Sequence, residues 1–199
     1  MLKIGITGGI GTGKTTVCRI FASCGAPVFD ADNTAKQIMN TDPELISQIK
    51  ETFGKEAYLP NGELDRKYLA GKVFNDAEAL AKLNALVHPA AIQAFIDWAA
   101  LQDAAYIVKE AAILFESGSH RDCDFTILVT ADEPVRIARV MQRDAVDEES
   151  VRYRMSKQMP EEEKKQLADF VIDNNGTQAL LPQVLKLHRQ FLEMASADE

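Results

Sequence analysis

The residues with the plainest chemistry stand near the N-terminus, in the run Gly8-Gly9-Ile10-Gly11-Thr12-Gly13-Lys14-Thr15-Thr16. Their spacing, G-x-x-x-x-G-K-[ST], is that of a loop that cradles phosphates. Polyphosphate sits there on unpaired backbone amides at a helix N-terminus, which carries about half a positive charge. Glycine lets the backbone turn sharply and keeps side chains out of the way, so Gly9, Gly11, Thr12 and Gly13 are the nucleotide-side positions. Lys14 adds a full charge that can reach the β- and γ-phosphates. The Thr15 hydroxyl is placed to ligate the Mg²⁺ that bridges them, and Thr16 to donate to an α-phosphate oxygen. A glycine-rich turn with no ligand is the bland alternative, but Leu2, Ile4 and Ile6 before it and Val17, Ile20 and Phe21 after it supply the strand–turn–helix context that the motif requires. The chemistry implied is ATP- and Mg²⁺-dependent phosphoryl transfer.

Other candidates each carry an ordinary reading beside the functional one. Asp32 follows the second predicted strand, where a carboxylate can take a proton from an attacking hydroxyl or can cap the next helix. Arg139 and Arg143, four residues apart, share one face of a predicted helix and suit a lid that closes guanidinium groups over phosphates. Their alternative is pairing with Asp144, Asp147 or Glu148 on a solvated face. Asn174, before Asn175 and Gly176, sits in a loop that can contact adenine or be a simple turn. Arg66 can bind substrate phosphates or be a plain surface charge. His88 reads first as a structural residue beside Pro89, and is carried with Arg66 as a substrate-side candidate.

Positioning these groups requires a sheet. Beyond the strand of Leu2, Ile4 and Ile6, strands are expected at Pro27–Phe29, Tyr106–Val108, Phe125–Val129 and Phe170–Ile172, separated by helical patterns. Five strands alternating with helices predict an α/β fold with a parallel, doubly wound sheet and ligands at the carboxyl ends of its strands. Residues 42–101 read as a helical insertion, with a helix over 42–54 and a longer helical stretch broken at His88-Pro89. The charged segment 132–168 reads as a helical lid with little apolar surface to pin it. Segments 1–41, 102–131 and 169–199 make the core of a single domain.

A chain of 199 residues, 46% hydrophobic, can bury one substantial core. Its net charge of −8 argues against nucleic acid as the main partner. Cys18, Cys24 and Cys123 are odd in number and lack metal-type spacing, which suits reduced thiols. No signal-peptide pattern and no apolar run near the roughly 18 residues of a membrane span are apparent. A cytoplasmic protein, with neither membrane nor nucleic-acid partner, is expected.

The order of the motifs also resembles a known family. Thr7 to Thr15, Asp30-Ala31-Asp32, Leu64-Asp65-Arg66, Leu83-Asn84 with His88-Pro89, Leu114-Phe115-Glu116, Gln158 and Val171-Ile172-x-Asn174-x-Gly176 fall as they do in dephospho-CoA kinases. That resemblance covers nearly the whole chain. It implies a P-loop NTPase fold similar to nucleoside monophosphate kinases, with a core, a helical CoA-binding part over 42–101 and a lid. The implied reaction is transfer of the ATP γ-phosphoryl group to the ribose 3′-hydroxyl of dephospho-CoA, the final step of coenzyme A synthesis. Asp32 is then the catalytic base, with Lys14 and Arg139 as the other catalytic groups. One departure is visible: Glu110 and Ala112 stand where the family usually has an Asp and a Pro. A carboxylate is kept, so the resemblance implies Glu110 as the metal-side partner of Thr15. Two rivals are a nucleoside or nucleotide kinase on the same scaffold and a GTP-binding switch protein. For the switch, Asp173-Asn174-Asn175-Gly176 matches D-x-x-G, but no N-K-x-D exists to read guanine.

Overall fold

The computed structural model describes residues 1–74 and 76–197. They form two compact units: Met1–Asp30 with Gln102–Glu199, and Ala31–Leu101.

The first unit is built on a parallel sheet. Strands β1 (Leu2–Thr7), β2 (Val28–Asp30), β3 (Tyr106–Glu110), β4 (Phe125–Thr130) and β5 (Phe170–Asp173) lie in the order β2-β3-β1-β4-β5. Every neighbouring pair is parallel. Ile4, Ile6, Ile127 and Val129 are fully buried, as expected for strands covered by helices. Because Ile6 and Asp30 both align with Glu110, and Thr7 with Leu128, the carboxyl ends of β1, β2 and β3 share one edge with the end of β4. Helix α1 (Lys14–Ser23) brings Val17, Cys18 and Phe21 to one core cluster, and the C-terminal helix Leu180–Ala197 brings Val184, Leu187 and Phe191. Phe191 is wholly buried and meets the rings of Phe21, Tyr106, Phe125 and Phe170.

The second unit is helical: α2 (Ala31–Thr41), α3 (Pro43–Phe53), α4 (Arg66–Val73) and α5 (Ala77–Ala100). Asp42, Asp65 and Asp76 cap the last three of these, each accepting backbone N–H groups of the first turn. Its core gathers Leu45, Ile49, Tyr58, Leu64, Leu69 and Val87. Ala35, Ile38 and Met39 of α2 pack against that cluster, so the helical unit begins at Ala31 and not at residue 42. Tyr58 adds a hydrogen bond from its hydroxyl to the Met39 carbonyl at 2.7 Å.

Three further expectations are corrected. Pro89 does not break α5, which runs on through it. Proline removes one backbone donor, but burial of Val87 on one side and of Phe95 and Ala99 on the other holds both halves in one helix, while Pro89 itself faces outward. By length and composition α5 is also apolar enough to cross a membrane, where the sequence reading found no such run. Finally, the charged segment 132–168 folds as α6 (Glu133–Asp144), α7 (Glu148–Ser156) and α8 (Glu161–Leu167), with more apolar packing than expected. Ile137, Val140 and Val151 are buried together, with Val146 and Met155 against them. Helix α9 is the C-terminal helix already described.

Truncating Phe191 opens a cavity under four rings. Phe191→Ala should cost about 3–5 kcal/mol of unfolding free energy, read by urea denaturation of the two proteins.

Candidate active site

The glycines of the loop are required by its geometry at particular points. Gly13 adopts φ 91° at the N-cap of α1 and Gly11 φ 83°, both in the left-handed region. A Cβ on Gly9 would collide with the Arg136 guanidinium, and one on Gly13 with the Asn174 side-chain amide. The loop is closed from within by the Thr12 hydroxyl, which donates to the Gly9 carbonyl at 2.9 Å.

Lys14 opens α1 and turns back over the loop, its Nζ donating to the Gly8 carbonyl at 2.9 Å. The next residue reaches the neighbouring strand: Thr15 Oγ1 donates to Glu110 Oε1 at 3.0 Å. Cys18, one turn further along α1, faces the same carboxylate. Its thiol is pushed well above the usual range, first by burial and then by the negative charge of Glu110. Thr16 is exposed in the first turn of α1. Thr15 and Glu110 thus set two hard oxygen donors side by side at the foot of the loop. No cluster of three His, Cys, Asp or Glu suited to a metal occurs among the described residues. Such an oxygen pair fits Mg²⁺, which takes one or two protein oxygens and completes its shell with phosphate and water.

Helix α6 meets the loop with arginines. Arg139 donates through Nη2 to the Asn174 carbonyl at 2.8 Å and through Nη1 to the Gly11 carbonyl at 3.5 Å. Asn174 closes the circle, its side-chain amide donating to the Thr12 carbonyl at 2.7 Å. Arg143, one turn on, is mostly exposed and pairs with Asp144 at 2.7 Å, the surface alternative weighed for it. Arg154 shares that carboxylate, and the two guanidinium groups hold Asp144 down to a pKa of about 2, the Arg143 hydrogen bond acting most. The D-x-x-G match is local turn chemistry: Asp173 accepts the Asn175 N–H, and the Asn174 N–H goes to the Thr130 carbonyl.

Two contributors had no role assigned from sequence. Arg136 is buried and donates from Nε to the Ile10 carbonyl at 3.0 Å, with Nη1 3.4 Å from Glu161. Burial lowers its pKa against the pull of Glu161 and Glu133. Gln158 Oε1 accepts the Ile10 N–H at 2.8 Å. Arg136 was visible as one of five arginines in 132–168, and Gln158 as one of the family-like positions, but neither bore a pattern that tied it to the loop.

The remaining candidates belong to the helical unit. Asp32 is half-buried in the first turn of α2, and Asp30 precedes that helix as the last residue of β2. Arg66 is the exposed first residue of α4, directly after its cap Asp65, and His88 is half-buried within α5.

The dephospho-CoA kinase family model matches residues 2–179. The chain is 43% identical over 202 residues to the dephospho-CoA kinase of Chlorobium chlorochromatii, covering 98% of this chain and 95% of that one. The enzyme of Chlorobaculum tepidum is 41% identical over 199 residues, covering 96% and 95%. Among solved structures, the dephospho-CoA kinase from Campylobacter jejuni superposes with a TM-score of 0.70 at 26% identity, covering 99% and 98%. The structure of TT1252 from Thermus thermophilus gives 0.85 at 36% identity, covering 95% and 96%. With the motifs, the loop geometry and matches spanning nearly its whole length in agreement, the chain belongs to the dephospho-CoA kinase family.

Proposed function

We propose that the protein transfers the γ-phosphoryl group of ATP to the ribose 3′-hydroxyl of dephospho-CoA, giving coenzyme A and ADP. The observation that carries this reading is the phosphate loop with the Thr15–Glu110 oxygen pair at its foot, in a chain of this family. Gly9 to Thr16 hold the nucleotide phosphates through backbone amides and hydroxyls. Lys14 follows charge onto the equatorial oxygens of the transferring group, which matters because phosphoryl transfer is catalysed mainly by positioning and electrostatics. Thr15 and Glu110 would hold Mg²⁺, Glu110 directly or through water. When bound, the ion neutralises charge between the β- and γ-phosphates. Asp32 orients and deprotonates the 3′-hydroxyl, delivered by β2 two residues upstream. Arg139 stabilises the transferring phosphoryl group, with Arg143 and Asn174 on the nucleotide side.

The helical unit takes the acceptor, with Arg66 and His88 contacting it, and its size supports a substrate longer than a mononucleotide. Segment 132–168 acts as the lid, its arginines closing over the nucleotide. Free Cys18, Cys24 and Cys123 support a reducing, cytoplasmic setting.

A coupled assay with ATP and a panel of acceptors tests the reading. Dephospho-CoA should be the preferred acceptor, since binding energy from the remote pantetheine arm can be used to raise turnover. Equal kcat/KM for a nucleoside monophosphate would point instead to a nucleotide kinase.

Lys14→Ala should lose about 100-fold or more in kcat, because a preorganised electrostatic contact to the transition state is removed. Most activity surviving in a correctly folded variant would remove Lys14 from the mechanism.

For Asp32 the discriminating substitution is Asn, which has nearly the same size and favours helix starts equally. Asp32→Asn should lose on the order of 100-fold in kcat, with ATP affinity and Tm nearly unchanged. Normal turnover by Asp32→Asn alongside an inactive Asp30→Asn would assign the base to Asp30.

A further inference from the structure

Ile10, at the tip of the phosphate loop, has both of its backbone polar groups taken by side chains from distant sequence. Gln158 Oε1 accepts its N–H at 2.8 Å, and Arg136 Nε donates to its carbonyl at 3.0 Å. Its own side chain packs on the cluster of Ile137, Val140 and Val151. A glycine-flanked residue has wide conformational freedom, so this three-way grip selects one orientation of the peptide groups on either side.

Helix α8 anchors both arms of the grip. Glu161 pairs with Arg136 at 3.4 Å. Three residues on, the fully buried Lys164 pairs through Nζ with Glu116 Oε1 at 2.8 Å, and that same carboxylate oxygen accepts the Met159 N–H at 3.0 Å. Met159 directly follows Gln158, so the Glu116–Lys164 pair fixes the backbone from which the Gln158 amide reaches the loop. Burial would raise the Glu116 carboxyl, but its bonds to Lys164 and Met159 hold it below the usual range, so the anchor stays charged. A lysine this buried is costly unless paired, which makes the pair a committed fixture.

We infer that Gln158 is a positioning residue of the phosphate loop: by holding the Ile10 amide it presets the loop for polyphosphate, and α8 holds Gln158. It touches none of the reacting atoms. The opposite reading is that Gln158 plugs an amide that the nucleotide needs. The two differ in sign, because a positioning residue aids nucleotide binding while a plug opposes it.

The inference rests on the proposed kinase reading, so its test uses nucleotide binding, which does not depend on the acceptor. ADP with Mg²⁺ is titrated calorimetrically into the full chain and into Gln158→Leu, with Gln158→Met as a second variant of matching length. Gln158 is only partly buried, and either side chain fills its place. Loss of the one hydrogen bond should raise the ADP Kd roughly tenfold. The KM for dephospho-CoA should stay within about twofold and Tm within about 2 °C, since no contact to the acceptor or the main core is removed. A general structural defect would move all three together. Unchanged or tighter ADP binding in both variants overturns the inference, the tighter result marking Gln158 as a plug. A parent chain that binds ADP but leaves dephospho-CoA unphosphorylated would defeat the proposed reaction and leave the ADP comparison valid.

Discussion

Backbone amides directed into a concave loop have to be left unpaired by the protein if a polyphosphate is to use them, and such a turn cannot stabilise itself. That constraint organises the sheet unit. The carbonyls of the loop are satisfied instead: Gly8 by Lys14, Gly9 by Thr12, Ile10 by Arg136, Gly11 by Arg139 and Thr12 by Asn174. Five donors from three separate chain segments therefore hold the loop's carbonyls, while its Ile10 N–H goes to Gln158 and its Thr12 N–H to the Gly9 carbonyl. Three of them, Lys14, Arg136 and Arg139, are cationic, so the same contacts concentrate positive charge around the loop.

The parallel sheet supplies the rigid base for that arrangement. β1 is central, and its neighbours β3 and β4 bring Glu110 and Thr130 to the edge at which the loop starts. The Glu110 carboxylate meets the Thr15 hydroxyl at 3.0 Å, because α1 and β3 are packed through the same buried cluster.

The segment after β4 shows how charge and apolar packing divide the labour. Its exposed charges pair locally, as in Arg143–Asp144–Arg154 and Arg152–Glu148, where solvent leaves each pair worth little. Its buried charges, Arg136 and Lys164, do different work, tying helices to the loop and to Glu116. Composition alone does not separate the two groups, since both are embedded in a run of acidic and basic residues.

Local rules made the phosphate loop, the parallel sheet and the family legible in the sequence. Glycine spacing reports a backbone requirement, and apolar runs report strands covered on both faces; neither depends on distant partners. Most strand ends fell within a residue or two of their observed places for the same reason. Only the tertiary structure decided that α5 passes through Pro89, that α2 joins the helical unit, and that Arg143 pairs with Asp144 while Arg136 and Gln158 hold Ile10. The grip on Ile10 turns on contacts across long sequence separations, 126 residues for Arg136 and 148 for Gln158. An isolated arginine or glutamine carries no local mark of the carbonyl or amide that it will meet, because the meeting is created by the packing of helices onto a common core.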